Sequence, residues 1–178
     1  MKGSALDLKD KIRSIPDFPK KGIVFRDITT LLIDRGAFKA SIDQMTEHYR
    51  DEKIDLIIGA EARGFIFGAV LAYTLGTGFV PVRKPDKLPF KTCQTSYDLE
   101  YGKNILQMHI DAVKKGDRVL IVDDLVATGG TAKAKADLVE KMDGIVVGLC
   151  FLIELEFLNP RKVLQGYDVF SLIKYDSE

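Results

Sequence analysis

The chain has 178 residues, 46% hydrophobic and 29% charged, which suits one soluble domain with a core of its own. Its 26 basic and 26 acidic side chains cancel, so it lacks the basic excess of a nucleic-acid binder, and no stretch approaches the ~20 apolar residues of a membrane span. The N-terminus carries Asp7, Lys9, Asp10 and Lys11 where a secretory leader needs its apolar core, and Cys93 and Cys150 form no CxxC pair, so we expect a cytoplasmic protein with two free thiols.

Taken in chain order, Ser4 is placed to cap a short helix to about Ile12, ended by Pro16 and Pro19. Residues 36–52 read as a helix with Phe38, Ile42, Met45 and Tyr49 on one face. A strand at 55–60, a helix at 64–75 and a strand at 78–83 follow. Residues 84–104 hold Pro85, Pro89 and Gly102 among many polar groups and are expected to leave the core. Strands at 104–110 and 117–123 lead to a helix at 131–142, a strand at 145–154, a short helix near Pro160 and a strand at 167–174. This alternation predicts a single α/β domain with a mostly parallel sheet flanked by helices. The run Val119-Leu120-Ile121-Val122 lacks polar alternation, as expected of a strand covered on both faces.

That run meets two adjacent carboxylates, Asp123 and Asp124, and then Thr128-Gly129-Gly130-Thr131 at the start of a helix. In open parallel sheets ligands bind beyond the carboxyl ends of the strands. Side chains alternate along a strand, so one aspartate can accept from a ligand hydroxyl while the other orients the loop or a second hydroxyl. The free N–H groups of the helix start, two glycines allowing close approach and two threonine hydroxyls make a phosphate site. Two carboxylates would repel a phosphate set directly on them; a ribose carrying a 5-phosphate fits between. A Walker-type metal site is excluded because no G-x-x-x-x-G-K-[ST] loop is present: "GAEARG" lacks the Lys-Ser/Thr, and "GTGFVP" lacks the third glycine of a dinucleotide fingerprint. His48 and His109 are each isolated, so neither is expected to ligate a metal.

The stretch "VLIVDDLVATGGT" (119–131) resembles the diphosphate-sugar signature of the type I phosphoribosyltransferases. "IPDFPKKGIVFRDIT" (15–29), "GAEARGFIFG" (59–68) and "KLPFKTCQTSYDLEYGK" (87–103) are similar to the members that act on adenine, and all four stand in that family's order. The resemblance implies a type I phosphoribosyltransferase-like fold over 1–178, with an N-terminal hood and adenine-pocket segment at 1–34 and a mobile catalytic loop at 84–104. It implies joining of adenine to 5-phospho-α-D-ribose 1-diphosphate with Mg²⁺, giving AMP and diphosphate. It places the 5-phosphate on Ala127, Thr128, Gly129, Gly130 and Thr131, and the ribose hydroxyls on Asp123 and Asp124. Arg63 would meet the diphosphate, beside a non-proline cis peptide at Glu61-Ala62. Arg83, Lys84 and Lys87 would add positive charge there, in part across a homodimer. Glu100 would handle the proton at adenine N7/N9, Tyr101 would act as an aromatic lid, and Val24, Phe25, Arg26 and Leu125 would hold the base. The metal has no protein cage and is expected to arrive with the diphosphate, since Mg²⁺ keeps waters and prefers phosphates. Lys20-Lys21-Gly22, Phe90 and Cys93 depart from the family's commonest pattern without touching a proposed contact.

Two other readings remain open at this stage: transfer to another purine base, against which "GIVFRDIT" argues, and a non-catalytic regulator of the same fold that binds nucleic acid, for which 178 neutral residues leave little room.

Overall fold

The computed structural model describes residues 6–99 and 102–178. Its centre is a five-stranded sheet in the order β4-β3-β7-β8-β9, with every neighbouring pair parallel. In chain order the elements are β1 (Arg13–Ile15), β2 (Phe25–Asp27), α1 (Thr29–Ile33), α2 (Arg35–Tyr49), β3 (Leu56–Ala60), α3 (Arg63–Leu75), β4 (Gly78–Val82), β5 (Thr92–Leu99), β6 (Gly102–His109), β7 (Arg118–Val126), α4 (Gly130–Lys141), β8 (Ile145–Leu155), α5 (Pro160–Val163) and β9 (Val169–Tyr175).

β7 lies in the middle, and its alternating side chains enter two separate cores. Leu120 and Val122 pack with Met45 and Tyr49 of α2 and Phe67 and Leu71 of α3. Val119 and Ile121 pack with Ala132, Leu138 and Val139 of α4 and with Leu106 and Met108 of β6. This explains why the strand reads as an unbroken apolar run. α2 begins at Asp34, whose carboxylate accepts from the N–H groups of Gly36 and Ala37, and it buries the expected stripe of Ile42, Met45 and Tyr49.

Several elements differ from the sequence reading. Of the expected helix from Ser4 to Ile12, Ser4 lies outside the described residues and a single 3₁₀ turn at Lys9–Lys11 forms. The prolines at 16 and 19 bracket a turn that returns the chain as β2, antiparallel to β1 with Ser14 opposite Arg26. Residues 92–99 and 102–109 pair antiparallel as β5 and β6, so the segment expected as an excursion does leave the main sheet, but much of it is strand. One bridge, Arg83 to Gln107, hooks that hairpin to the end of β4. β7 runs through Asp123 and Asp124 to Val126, because Leu125 and Val126 pair with Ile153 and Glu154 of β8; the carboxylates sit inside the strand rather than at its end. Among the described residues no helix is long and apolar enough to cross a membrane.

Candidate active site

From β3 the chain steps to β4 on one side and later returns to add β7 on the other, so the order reverses between β3 and β7. Such a switch point opens a crevice beyond the strand ends. Here it is lined by the β3–α3 turn (Glu61, Ala62, Arg63) and by the end of β7 with the turn into α4. The peptide Glu61-Ala62 is cis, as the resemblance implied, and so is Phe18-Pro19.

Two cavities adjoin in the crevice. One, of about 190 Å³, is formed by Leu125 to Ala132 with Asp123, Lys135 and Phe151. The other, of about 220 Å³, is formed by Ala60 to Arg63, Lys84, Leu106, Asp123, Asp124, Leu125 and Thr131. They share Asp123, Leu125 and Thr131. The sequence-predicted residues Asp123, Asp124, Leu125, Ala127–Thr131, Arg63 and Lys84 are therefore brought together.

The two carboxylates point to opposite layers, as strand alternation requires. Asp123 Oδ2 accepts from Lys135 Nζ at 2.6 Å, on the α4 side. Asp124 Oδ2 lies 2.9 Å from Arg63 Nε, on the α3 side, as a close ion pair without a well-directed hydrogen bond. Asp123 Oδ1 accepts the Asp124 N–H at 3.0 Å. Burial first, and then the Asp123 carboxylate beside it, push Asp124 up to about 7, against the pull of Arg63 and Lys135. α3 can come this close because residue 64 is glycine: a Cβ there would stand 2.6 Å from Asp123 Oδ1.

Gly129 also has a packing role that the sequence reading did not include. It caps α4 in the left-handed region at φ 91°, and a Cβ on it would stand 2.9 Å from the Pro160 carbonyl oxygen. It is needed to seat the turn on α5. α5 is itself braced: Arg161 Nε and Nη2 donate to the two carboxylate oxygens of buried Glu154 at 2.7 and 2.9 Å. Periodicity alone does not reveal this brace.

Other predicted residues fall less simply. Arg83 is engaged by Glu61, which accepts from its Nε at 3.0 Å and its Nη2 at 2.8 Å and from the Lys84 N–H at 2.7 Å. Burial opposes the charge on Glu61, but the Lys84 N–H and the Arg83 guanidinium outweigh it and hold the carboxyl below its usual range. The side chain of Lys87 is exposed, and its carbonyl accepts from Arg83. Phe25 faces the Arg63 guanidinium at 5.4 Å, which sets β2 over the carboxylates, and Phe18 packs edge-on against it. Val24 is half-buried beside Phe25. The Arg26 side chain turns away: it is buried, donates to Ser14 Oγ at 2.5 Å and lies over the Tyr175 ring at 3.9 Å. Glu100 and Tyr101 lie outside the described residues. Lys135 and Glu61 were missed; a lysine at the apolar positions shared by Ala132, Ala136 and Val139 was the available signal for the first.

Residues 28–174 match the phosphoribosyl transferase domain model. An adenine phosphoribosyltransferase of Solibacter usitatus is 61% identical over 170 residues, covering 96% of this chain and 98% of its own. The chain belongs to the adenine phosphoribosyltransferase family. The family's crystal structure from Thermoanaerobacter pseudethanolicus superposes with a TM-score of 0.92 at 58% identity, over 94% of this chain and 98% of that one. The Saccharomyces cerevisiae member, solved with adenine and an imino-altritol bisphosphate, does so at 0.87 and 40% identity, over 93% and 96%. The type I fold expected from the four motifs is thus the fold of this chain.

The Asp124 carboxyl supplies a test of the site's electrostatics. A carboxyl whose value is higher in the folded than in the unfolded state takes up protons on folding, so its contribution to stability falls as pH rises from about 4 to about 7 and is level above that. Asp124→Asn cannot ionise. Relative to wild type it should gain stability steadily across that window and keep the gain above it. Urea denaturation of both proteins between about pH 4 and pH 8 measures the difference; a difference independent of pH would contradict the assignment.

Proposed function

We propose that the chain transfers the 5-phosphoribosyl group to adenine, releasing diphosphate and forming AMP for purine salvage. The observation that supports this most is the pair of adjoining cavities that meet at Asp123. The turn 127–131 suits the 5-phosphate at a helix N-terminus. The cis-peptide turn with Arg63 and Lys84 suits the diphosphate, and Asp123 and Asp124 between them suit the ribose hydroxyls. Phe25 and Leu125 suit the two faces of a planar base.

In the reaction adenine N9 attacks the ribose C1 as the C1–oxygen bond to diphosphate breaks. Positive charge develops on the sugar and negative charge on the leaving group. Arg63 and Lys84 counter the latter. We assign Mg²⁺ as cofactor: bound through the diphosphate it would add to that neutralisation. Among the described residues no three His, Cys, Asp or Glu converge on a possible metal position, and the two site carboxylates are already ion-paired, so the donor set fits a cation held mainly by substrate oxygens and water. Residues 84–104 act as the closing loop that keeps water from the cation, and Tyr101 is the lid residue. Arg83 must leave Glu61, or act together with it, to reach the leaving group; Lys87 is free of such a pairing only in its side chain. Cys93 and Cys150 carry no disulfide, which suits a reducing compartment, and we assign the enzyme to the cytoplasm.

Base choice follows from β2. Within the described residues it pairs with β1 on one edge only, and the Arg26 side chain is occupied elsewhere. The other edge can offer the Val24 carbonyl and the Arg26 N–H side by side, matching the N6 donor and N1 acceptor of adenine. Hypoxanthine reverses both and would leave two polar groups unpaired, at ~1–3 kcal/mol each. kcat/KM should therefore favour adenine over hypoxanthine by ~10⁴-fold; comparable values would shift the assignment to another purine.

Glu100, one residue before Tyr101 in "SYDLEYG", is assigned the proton leaving the base. Glu100→Gln should lower kcat by ~10²-fold or more with little change in adenine binding. An unchanged kcat moves the role elsewhere.

We also propose a two-fold homodimer. Phe18, Ile23, Ile33 and Phe90 are exposed apolar side chains in segments 15–35 and 80–90, whose apolar and basic content exceeds what one site needs. Sedimentation at micromolar concentration should give twice the chain mass; a single-chain mass throughout would refute the dimer.

A further inference from the structure

The phosphate cavity contains a cation that neither its turn nor its fold requires. Lys135, on the second turn of α4, has 0% of its side chain exposed. Its own helix surrounds it with Ala132, Ala134, Ala136, Leu138 and Val139, all buried. An apolar side chain of the same length would fill that space without the cost of burying an ammonium. Lys135 nevertheless lines the cavity formed by residues 127–131, and its Nζ donates to Asp123 Oδ2 at 2.6 Å. The other oxygen of Asp123 accepts the Asp124 N–H and lies against Gly64, so the carboxylate is fixed from three directions.

The electrostatic problem of the site lies here. A phosphate dianion seated on the turn faces Asp123, which lines the same cavity. With Asp123 uncompensated the two would repel through a half-buried medium, where charges act more strongly than in water. With Lys135 paired beneath it, Asp123 keeps its acceptor oxygens and loses its net field. We propose that Lys135 is a positioning residue of the phosphate subsite: it locks the Asp123 carboxylate and cancels its charge, which lets one aspartate serve a sugar hydroxyl beside a bound phosphate. This rests on the reading of 127–131 as the phosphate turn.

The alternative is an ion pair that only helps α4 to pack. Titration calorimetry with inorganic phosphate, which has no ribose to touch Asp123, separates the two. Lys135→Met should bind phosphate about tenfold more weakly or worse, and KM for the diphosphate sugar should rise while KM for adenine stays unchanged. Adding Asp123→Asn to Lys135→Met removes the uncompensated charge and should restore phosphate binding to near the wild-type value. Packing alone predicts no such rescue. Phosphate binding by Lys135→Met equal to wild type, or a double variant that fails to recover, overturns the inference. If thermal melting shows that Lys135→Met does not fold, Asp123→Asn alone decides: with the ammonium kept and the carboxylate charge removed it should bind phosphate more tightly than wild type, and equal or weaker binding overturns the inference. Wild-type protein that binds neither phosphate nor AMP would instead overturn the functional reading itself.

Discussion

Two consecutive carboxylates in the middle strand of a parallel sheet set the constraint to which the rest of the site answers. Consecutive strand residues face opposite layers, so a single cation cannot serve both. Each layer supplies its own: α4 brings Lys135 to Asp123, and α3 brings Arg63 to Asp124. The compensation is unequal. The Lys135 pair is buried and directly hydrogen-bonded, whereas Arg63 has 42% of its side chain exposed and meets Asp124 without a well-directed bond. Asp124 consequently holds a proton more readily than an ordinary carboxyl, since burial and the adjacent charge both favour the neutral form.

The surroundings serve to hold this arrangement at the strand ends. Glycine at 59 and 64 lets the start of α3 lie against the sheet: a Cβ at 59 would stand 2.8 Å from the Gly64 carbonyl oxygen. The phosphate turn rests on α5 through Gly129, and α5 is tied to β8 by the Glu154–Arg161 pair. Glu154 stands opposite Val126 in the sheet, so the same register that extends β7 also anchors the brace behind its turn. On the other side, the bridge between Arg83 and Gln107 fixes the base of the hairpin next to Glu61. The groups proposed to meet the phosphate and ribose thus stand on regular elements, and the segment assigned to closure is attached at its root to β4.

Much of this was legible in the sequence, for reasons that differ by element. β3, β7 and β8 read correctly because both their faces are covered and their apolar runs are continuous, and β9 because it is apolar apart from Ser171 and Lys174. The helices α2, α3 and α4 read correctly from their buried stripes. β1 and β2 were invisible because three-residue strands carry no period, and their pairing is set by the turn around cis Pro19. The residues that line the crevice at the end of β7 were visible as motifs, since glycine, threonine and aspartate at a strand-to-helix turn have few other uses. Its internal pairings were not. Lys135 and Lys133 are alike in composition, yet one points into the core and the other pairs with Asp137 at the surface, and only the phase of α4 separates them. Arg83 and Glu61 are 22 positions apart and meet because β3 and β4 are parallel neighbours that end together.

These pairings explain how a chain of zero net charge can receive a substrate rich in phosphate. A site built from free cations would bind anions strongly but would leave its positive charges in mutual repulsion when empty. Here three cations in and beside the crevice are held by carboxylates, Arg63 by Asp124, Arg83 by Glu61 and Lys135 by Asp123, while Lys84 also lines it. Binding becomes an exchange of partners rather than a neutralisation. The pairs are graded by burial: Arg63 and Arg83 keep 42% and 33% of their side chains exposed, while Lys135 is fully buried in the packing of α4. In the proposed reading the more exposed pairs face the leaving group, where charge changes during the reaction, and the buried pair lies under the phosphate, where charge does not.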